Sequence, residues 1–328
     1  VRKWSKKLVT SLKQSGFGVH LIEMPDGERH KKLSTVEMLA EKLTAAHADR
    51  SSAIVALGGG VVGDVAGLVA ALYMRGVDVI QIPTTVLAQV DASIGGKTGV
   101  NLRAGKNLVG AFHQPRAVLI DPDVLSSLPD RQFRAGLYES LKCGIIGKPE
   151  LFLRMENVSA RDLRKDFDTL QWIIAESVKL KASVVSADER ECGLRRVLNF
   201  GHTIGHALEA ETAYKYFLHG EAIAWGMIAA TTIAANGNLD PLARERIVNA
   251  VLNLGPLPAV QVNPRNILRR LQSDKKTIQG KVHFVLPREI GKVDIVNDIP
   301  EQAIQDAVEQ LRKLSAKGKG KNASTVLR

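Results

Sequence analysis

The first third of the chain alternates apolar strand segments with helical segments, and this alternation constrains the fold most. SAIVAL (52–57), VDVIQIP (77–83) and RAVLID (116–121) have the near-continuous apolar character of strands that are buried on both faces, and GVHLIEM (18–24) fits an earlier strand. Segments with helical periodicity separate these strands. The pattern predicts an α/β fold, a parallel sheet with helices on both faces.

The character of the chain changes after about residue 122, where long helical patterns dominate. Two short strand signals remain near the end, VHFVLP (282–287) and KVDIV, and a last helix is expected to begin near Pro300. We therefore divide the chain into an α/β domain (1–122), a mostly α-helical domain (123–312) and a disordered basic tail (313–328). The predicted helices of the second domain span 130–147, 160–190, 201–213, 219–236, 241–254 and 263–272.

The net charge of +11 comes from the two ends of the chain. Residues 1–13 carry five Lys or Arg and residues 312–328 carry six, with no acid in either stretch, so the body between them is balanced. A nucleic-acid surface would need a basic face on the folded body, and we expect no nucleic-acid partner. No apolar run approaches the length of a membrane span, so we expect no membrane partner. The two cysteines lie outside any CxxC pattern and fit a protein of the reducing cytoplasm.

A glycine-rich turn, ALGGGVVGDVAG, follows the strand at 52–57 and opens a helix. Gly58, Gly60 and Gly63 satisfy G-x-G-x-x-G, which lets a pyrophosphate approach the backbone at a helix N-terminus. The acid that usually binds the ribose should end the next strand. Asp78 has the spacing but begins its strand, so the turn indicates an atypical dinucleotide-binding fold or a tight turn without a ligand.

A second glycine-rich segment, PTTVLAQVDASIGGKTGVN (83–101), ends a predicted strand, where open α/β sheets bind ligands. It is not a P-loop, because Asp91 stands where the first glycine of G-x-x-x-x-G-K-[ST] belongs. With Lys97, Lys106 and Asn107 it indicates a polar pocket for a small anion; solvated loop lysines are the alternative.

Four side chains offer a possible metal site: Glu139, His202, His206 and His219. The two histidines of GHTIGHALE are four residues apart and therefore share a helix face, and two histidines with a glutamate form one known catalytic zinc set. Interior glycines cost about 1 kcal/mol each in a helix, so Gly201 and Gly205 indicate unusual crowding. Buried core histidines remain the alternative, whereas the missing H-E-x-x-H motif argues against a metalloprotease.

Polar residues precede this motif at helical spacing, Glu191, Arg195, Asn199 and then His202. We expect them on one helix face. Such a strip is either the polar wall of a cleft or an exposed salt-bridged face.

From about residue 25 to about residue 310, the chain resembles the 3-dehydroquinate synthase family, which lies within the sugar phosphate cyclase superfamily. The segments that carry the resemblance occur in the family's order: GGGVVGDVAG, YMRG, QIPTTVLAQVDASIGGKTGVN, GKNLVGAFHQP, ESLKCG, RRVLNFGHTIGHALE and LHGEAIAWGM. By this resemblance the chain begins inside the helix that follows the family's N-terminal strands, so the segment that contacts the adenosine part of NAD is expected to be missing. The resemblance implies an atypical Rossmann-like NAD domain and a helical metal and substrate domain.

The resemblance also implies an NAD-dependent enzyme with one divalent ion, Zn²⁺ or Co²⁺, that converts 3-deoxy-D-arabino-heptulosonate 7-phosphate to 3-dehydroquinate and phosphate. The implied metal ligands are Glu139, His202 and His219, and the implied catalytic residues are His206, Glu191, Lys97 and Asp91. NAD would bind Glu28, Lys31, Gly59, Gly60, Val61, Asp64, Thr84, Thr85 and Lys106. The substrate would bind Asp91, Lys97, Asn107, Lys142, Lys181, Arg195, Asn199, Lys276 or Lys275, and Arg75 from the partner of a homodimer.

Three other functions stay open from the sequence. A different sugar phosphate cyclase would act on a substrate without the carboxylate, which Arg195 and Asn199 disfavour. An iron-type alcohol or glycerol dehydrogenase would share the glycine-rich turn but fits IGGKTGVN and NFGHTIGH poorly. A relative that binds without turnover is the third.

Overall fold

The computed structural model describes residues 1–191, 193–237, 239–274 and 282–317. The chain forms two compact units, Val1–Leu128 and Pro129–Arg328. No helix in the described part of the chain has the length and apolar character that a membrane span requires. Each unit has its own secondary structure and core.

The first unit contains a three-stranded parallel sheet in the order β1-β2-β5. Helix α3 follows β1 directly, and a π-helical turn, Ala88–Ala92, follows β2. The core lies between α3, the sheet and α2, and includes Val65, Leu68 and Val79. The elements of the unit are α1 (Arg2–Gln14), α2 (Leu33–Ala45), β1 (Ala53–Gly58), α3 (Gly60–Leu72), β2 (Asp78–Pro83), β3 (Lys97–Leu102), β4 (Gly105–Phe112) and β5 (Ala117–Val118).

Strands β3 and β4 form an antiparallel hairpin that sequence analysis missed. Its many glycines are typical of a loop, but two of them permit close pairing. A Cβ on Gly110 would lie 2.0 Å from the Thr98 carbonyl oxygen, and one on Gly99 would lie 3.0 Å from the Val109 oxygen. The hairpin packs on α3, where Val100 is fully buried.

The second unit is mostly helical, with α9 at its centre. Helix α9 is buried from Gly220 to Ala234, as expected for a helix that is apolar on all sides. Helices α4, α8, α10 and α12 and strand β6 contact it. The elements are α4 (Asp130–Gly147), α5 (Pro149–Met155), α6 (Ala160–Leu163), α7 (Phe167–Ala187), a 3₁₀ helix (Leu194–Asn199), α8 (His202–Glu211), α9 (His219–Ala235), α10 (Pro241–Asn253), α11 (Pro264–Asp274), β6 (Phe284–Glu289), β7 (Lys292–Val296) and α12 (Glu301–Lys317).

The predicted fold class is confirmed: a parallel-sheet α/β unit precedes a mostly helical one. Three details were wrong. Residues 18–24 are irregular, and Ile22 and Met24 pack on the core without joining the described sheet. The helix predicted over 160–190 breaks where the Asp166 side chain accepts a hydrogen bond from the Thr169 N–H and starts α7. The predicted tail begins too early, because α12 continues to Lys317; residues 318–328 lie outside the described residues.

Candidate functional site

Three helices of the second unit bring Glu139, His202, His206 and His219 together. Glu139 lies on α4, His202 and His206 on α8, and His219 is the first residue of α9. The Oε1 atom of Glu139 lies 3.8 Å from His202 Nε2 and 3.6 Å from His219 Nε2. The three histidine rings have centroids 5.2–5.8 Å apart, and each ring can direct a nitrogen toward the others.

Glycines allow α8 and α9 to cross closely enough for this cluster to form. A Cβ on Gly226 would lie 1.9 Å from the Gly201 carbonyl oxygen, and one on Gly205 would lie 3.0 Å from the Ala222 oxygen. Gly201 also has a φ of +78°, which favours glycine at the residue before α8. The glycines that flank the histidines in sequence therefore fix the distance between the two helices that carry them.

Hydrogen bonds orient two of the imidazoles toward Glu139. His202 Nδ1 lies 3.1 Å from the Phe200 carbonyl oxygen, and His219 Nδ1 lies 3.2 Å from Glu209 Oε2. Both oxygens are acceptors, so each Nδ1 carries the proton and each Nε2 presents a lone pair. Metal-bound histidines are commonly held this way by a carbonyl or a carboxylate.

The donor atoms fit a tetrahedral ion. Bonds of about 2.0–2.1 Å to nitrogen and oxygen place neighbouring ligands of a tetrahedral zinc roughly 3.4 Å apart, close to the 3.6 and 3.8 Å observed here. Glu139 is 1% exposed, and neither of its carboxylate oxygens accepts a hydrogen bond of regular geometry from the described residues. A buried carboxylate oxygen without a hydrogen bond, facing two imidazole lone pairs, is what a bound cation would satisfy.

Lys142 supplies positive charge to the same cluster. It is 1% exposed, lies one helical turn after Glu139 on α4 and forms an ion pair with Glu139 Oε2. Burial, followed by the charge of Lys142, lowers the pKa of His202 well below its ordinary value. His202 is therefore neutral, which is the form that binds metals. His206 is the most exposed of the three histidines, so its imidazole is available to a solute.

An ion pair between exposed Arg131 and buried Glu221 anchors the start of α9 on α4. The Arg131 guanidinium makes two parallel hydrogen bonds of 2.7 Å to the carboxylate of Glu221, which is fully buried. Glu221 Oε2 also accepts a hydrogen bond from the Leu218 N–H, and Arg131 donates another to the Tyr216 carbonyl. The loop before His219 and the first turn of α9 are thereby held on the helix that carries Glu139. Sequence analysis missed this pair.

The polar strip predicted on one helix face is wrong in its geometry. Glu191 lies in a loop with φ of +59°, Arg195 and Asn199 lie in the 3₁₀ helix, and Gly201 separates them from α8. Gly193, in CGLRR, and Gly201, in NFGHT, interrupt regular helix on the two sides of the 3₁₀ helix. Two members still meet, because Asn199 Nδ2 donates to Glu191 Oε1 at 2.8 Å.

Two buried cations of the second unit were also predicted to bind substrate. Arg195 is 3% exposed and donates from Nη1 to the Glu189 carbonyl, while its N–H donates to Asp188 Oδ2. Lys181 lies buried on α7, which packs on α4 and on the 3₁₀ helix. Lys275 and Lys276, predicted as further substrate contacts, lie outside the described residues.

The glycine-rich turn of the first unit has the geometry of an anion-binding loop. Gly59 is the N-cap of α3, and Gly60 and Val61 begin the helix, so their N–H groups have no acceptor within the helix. A Cβ on Gly58 would lie 2.5 Å from Val62 Cγ2, and one on Gly63 would lie 2.8 Å from Gln81 Oε1 on β2. The turn is therefore tight, and α3 lies against the sheet.

A polar cluster near this turn joins residues predicted to bind NAD. Lys31 is 5% exposed, and its Nζ donates to Asp64 Oδ2 and Asn107 Oδ1. Burial raises the pKa of Asp64, and the charge of Lys31 opposes part of that rise. Asn101, which sequence analysis missed, donates to Glu28 Oε1 at 2.8 Å and accepts from the Asn107 N–H.

The remaining predicted residues of the first unit lie after β2 and on the hairpin. Thr84 is buried, and Thr85 Oγ1 accepts from the Ala88 N–H. Asp91 lies in the π-helical turn, a rare element that is frequent at functional sites. Lys97 and Lys106 lie on β3 and β4, and exposed Arg75 has an unusual φ of +67°.

Comparison with known proteins covers both units. Residues 21–135 match the family described as 3-dehydroquinate synthase N-terminal, and residues 136–277 match 3-dehydroquinate synthase C-terminal. The 3-dehydroquinate synthase of Koribacter versatilis (strain Ellin345) is 58% identical over 320 residues, which cover 97% of this chain and 87% of the relative.

Solved structures of other sugar cyclases share the fold. The 2-epi-5-epi-valiolone synthase ValA of Streptomyces hygroscopicus subsp. jinggangensis 5008, with NAD⁺ and Zn²⁺ bound, has a TM-score of 0.87 at 30% identity and covers 95% of this chain and 88% of its own. A 2-deoxy-scyllo-inosose synthase complexed with carbaglucose-6-phosphate, NAD⁺ and Co²⁺ has a TM-score of 0.79 at 31% identity, covering 92% and 86%.

Proposed function

Since the chain belongs to the 3-dehydroquinate synthase family, we propose that it converts 3-deoxy-D-arabino-heptulosonate 7-phosphate into 3-dehydroquinate and phosphate. The 58% identity to a curated 3-dehydroquinate synthase carries this proposal, because the solved cyclases of other specificity are 30–34% identical. The same family membership argues against an alcohol or glycerol dehydrogenase.

Glu139, His202 and His219 hold one divalent ion, Zn²⁺ or Co²⁺. The separation of their donor atoms, the lone pairs fixed on both Nε2 atoms and the carboxylate oxygen without a hydrogen bond support this set. A set of three histidines is the rival. With three histidines as ligands, Lys142 alone would balance the buried negative charge of Glu139. With Glu139 as a ligand, its carboxylate also neutralises half of the charge of the divalent ion.

His206 and Glu191 move protons. His206 is beside the metal ligands, yet exposed, and so can reach a bound substrate. Glu191 is held by Asn199 in a loop with an uncommon backbone conformation, which is a frequent property of functional sites. Bound NAD would supply reversible hydride transfer with a secondary alcohol of the substrate, and an ion held by Glu139, His202 and His219 would polarise the oxygen of that alcohol.

Buried cations bind the anionic groups of the substrate. Lys142, Lys181 and Arg195 are each at most 7% exposed, and burial strengthens their charge-assisted hydrogen bonds to phosphate and carboxylate. These contacts orient one flexible molecule through elimination of phosphate, ring opening and closure. The remaining proposed contacts are Asp91, Lys97, Asn107, Asn199, Arg75 of a second copy, and Lys275 or Lys276.

NAD binds to the first unit, at the glycine-rich turn. The N–H groups of Gly59, Gly60 and Val61 receive the pyrophosphate, and Asp64 with Lys31 forms the polar edge of the site. Glu28, Thr84, Thr85 and Lys106 complete the proposed set. The tight packing at Gly58 and Gly63 supports this, because it keeps side chains away from the loop.

The working enzyme is a cytoplasmic homodimer. Leu72, Met74, Leu102, Leu108 and Phe112 are large apolar residues of the first unit that are at least 42% exposed. Met74 and Arg75 have positive φ values, which tertiary or partner contacts must offset. These features support burial of this surface against a second copy and the delivery of Arg75 to its site.

Substrate comparison tests the reaction. Purified protein with NAD⁺ and Zn²⁺ is expected to release phosphate from 3-deoxy-D-arabino-heptulosonate 7-phosphate and not from sedoheptulose 7-phosphate, which lacks the carboxylate. Faster release from sedoheptulose 7-phosphate would assign the chain to another cyclase. Accumulation of NADH with glycerol or an alcohol would instead support a dehydrogenase.

A further inference from the structure

Glu209 is a buried acid on α8 that the reaction described above leaves without a role. Its side chain is 4% exposed, and its Oε2 atom lies 3.2 Å from Nδ1 of His219, at the start of α9. We propose that Glu209 is a positioning residue for the metal site, holding the His219 imidazole so that Nε2 binds the ion. This inference rests on the proposed metal ligands Glu139, His202 and His219.

The geometry fixes both the tautomer and the direction of the ring. A carboxylate oxygen accepts hydrogen bonds, so the proton of neutral His219 lies on Nδ1. Nε2, on the opposite side of the ring, then presents its lone pair 3.6 Å from Glu139 Oε1. The His219 side chain is 29% exposed, against 13% for His202. Because the surrounding core encloses the His219 ring less, its orientation depends more on the hydrogen bond to Glu209.

The two histidine ligands are held by different acceptors. His202 donates to the backbone carbonyl of Phe200 and is 13% exposed. His219 donates to a carboxylate, which increases the basicity of the imidazole more than a neutral carbonyl does. Glu209 therefore increases the metal affinity of the more exposed ligand.

Close packing of α8 and α9 is what brings Glu209 to His219. Gly205 and Gly226 lie at the crossing of the two helices, where a Cβ on either residue would clash with the opposite backbone. Burial of a carboxylate is costly unless a hydrogen bond compensates for the lost water. The hydrogen bond from His219 to Glu209 compensates for this cost and explains why a buried acid is found at this position.

The chain supplies a matched control on the same helix. Glu211 ends α8 and accepts hydrogen bonds of 2.6 Å from Asn266 and Arg270. The test compares Glu209→Gln and Glu209→Leu with Glu211→Gln and Glu211→Leu, in the full chain. Zn²⁺ and Co²⁺ affinities are measured by competition with a chromophoric chelator, the visible absorption of the Co²⁺ protein reports its coordination, and thermal melting of the metal-free protein reports folding.

Glu209→Leu is expected to weaken metal binding about 10–100-fold and to change the Co²⁺ spectrum. Glu209→Gln, which keeps an acceptor oxygen but not the charge, is expected to lose less. The Glu211 variants should bind metal as the wild type does, whatever their melting temperature. Should Glu209→Leu fail to fold, Glu209→Gln carries the test.

Two outcomes overturn the inference in distinguishable ways. Wild-type affinity and spectrum in the Glu209 variants would reject the positioning role and leave the metal site intact. A wild-type protein that binds neither ion would reject the metal site itself, and the role of Glu209 with it. Equal losses in the Glu209 and Glu211 variants would show a general effect on α8 and would also reject the positioning role.

Discussion

Gly220, on α9, lies so close to Ala135, on α4, that a Cβ on Gly220 would be 1.7 Å from the Ala135 carbonyl oxygen. His219 directly precedes this contact, and Glu139 lies one turn after Ala135 on α4. The approach of the two backbones therefore sets the distance between two proposed metal ligands that are far apart in sequence.

Gly220→Ala should separate α4 from α9, because backbone atoms cannot make room as a flexible side chain can. We expect a loss of unfolding free energy of about 3 kcal/mol and loss of Zn²⁺ from the purified protein. Calorimetry and elemental analysis measure the two effects. Gly237→Ala, beyond the other end of α9, would meet only an ordinary contact of 3.4 Å and should keep its metal. A metal-loaded Gly220→Ala protein of normal stability would contradict this description of the packing.

Arg131→Met leaves Glu221 buried without its ion pair and frees the loop before His219. The free energy of unfolding should fall by about 3 kcal/mol, and Zn²⁺ affinity should fall with it. Arg246→Met is the control, because Arg246 forms a similar two-bond pair with Glu156. That control should lose stability but keep its affinity, and equal losses of affinity in both variants would argue against a specific anchor.

His206→Ala and His219→Ala separate the two possible ligand sets. His206→Ala should retain one metal ion per chain while turnover falls about 10²–10⁴-fold, the usual effect of a lost acid or base. His219→Ala should lose the ion. Metal loss in His206→Ala, or a full complement of metal in His219→Ala, would replace the proposed set with another.

Lys31→Met removes the cation that Asp64 and Asn107 share. We expect the NAD⁺ dissociation constant to rise about 10–100-fold, since a hydrogen bond to a charged group contributes about 1.5–3 kcal/mol. Titration calorimetry of the purified protein measures this, with exposed Lys32→Met as the control. Unchanged affinity in Lys31→Met would remove this cluster from the cofactor site.

Much of the architecture was predictable because it follows from local patterns. The apolar runs predicted β1 and β2, and helical periodicity predicted the bounds of α4, α9 and α10 almost to the residue. The hairpin of β3 and β4 was missed because its glycines allow close pairing while removing the side-chain alternation that marks strands. Residues 18–24 do not form the expected strand, because strand formation also depends on pairing with a neighbouring strand.

The residues of the candidate site could be proposed from the sequence, but their geometry could not. Spacing brought out His202 and His206, since both lie on α8, whereas nothing local links them to Glu139. The single helix face expected for Glu191, Asn199 and His202 is not formed. Glu191 and Asn199 are instead joined by a hydrogen bond between their side chains. Glu209 and Glu221 were overlooked because an acid in a helix usually faces solvent, and their only signal was the apolar sequence around them.

The proposed reaction requires both NAD and a divalent metal ion to expel phosphate from a sugar acid phosphate. It is tested most directly by phosphate release from 3-deoxy-D-arabino-heptulosonate 7-phosphate, with NAD⁺ and a chelator each present or absent, while NADH absorbance is followed. Release is expected to require NAD⁺, to stop with the chelator and to return with Zn²⁺ or Co²⁺, without net formation of NADH. Release that is indifferent to the chelator, or NADH that accumulates in proportion to phosphate, would contradict it.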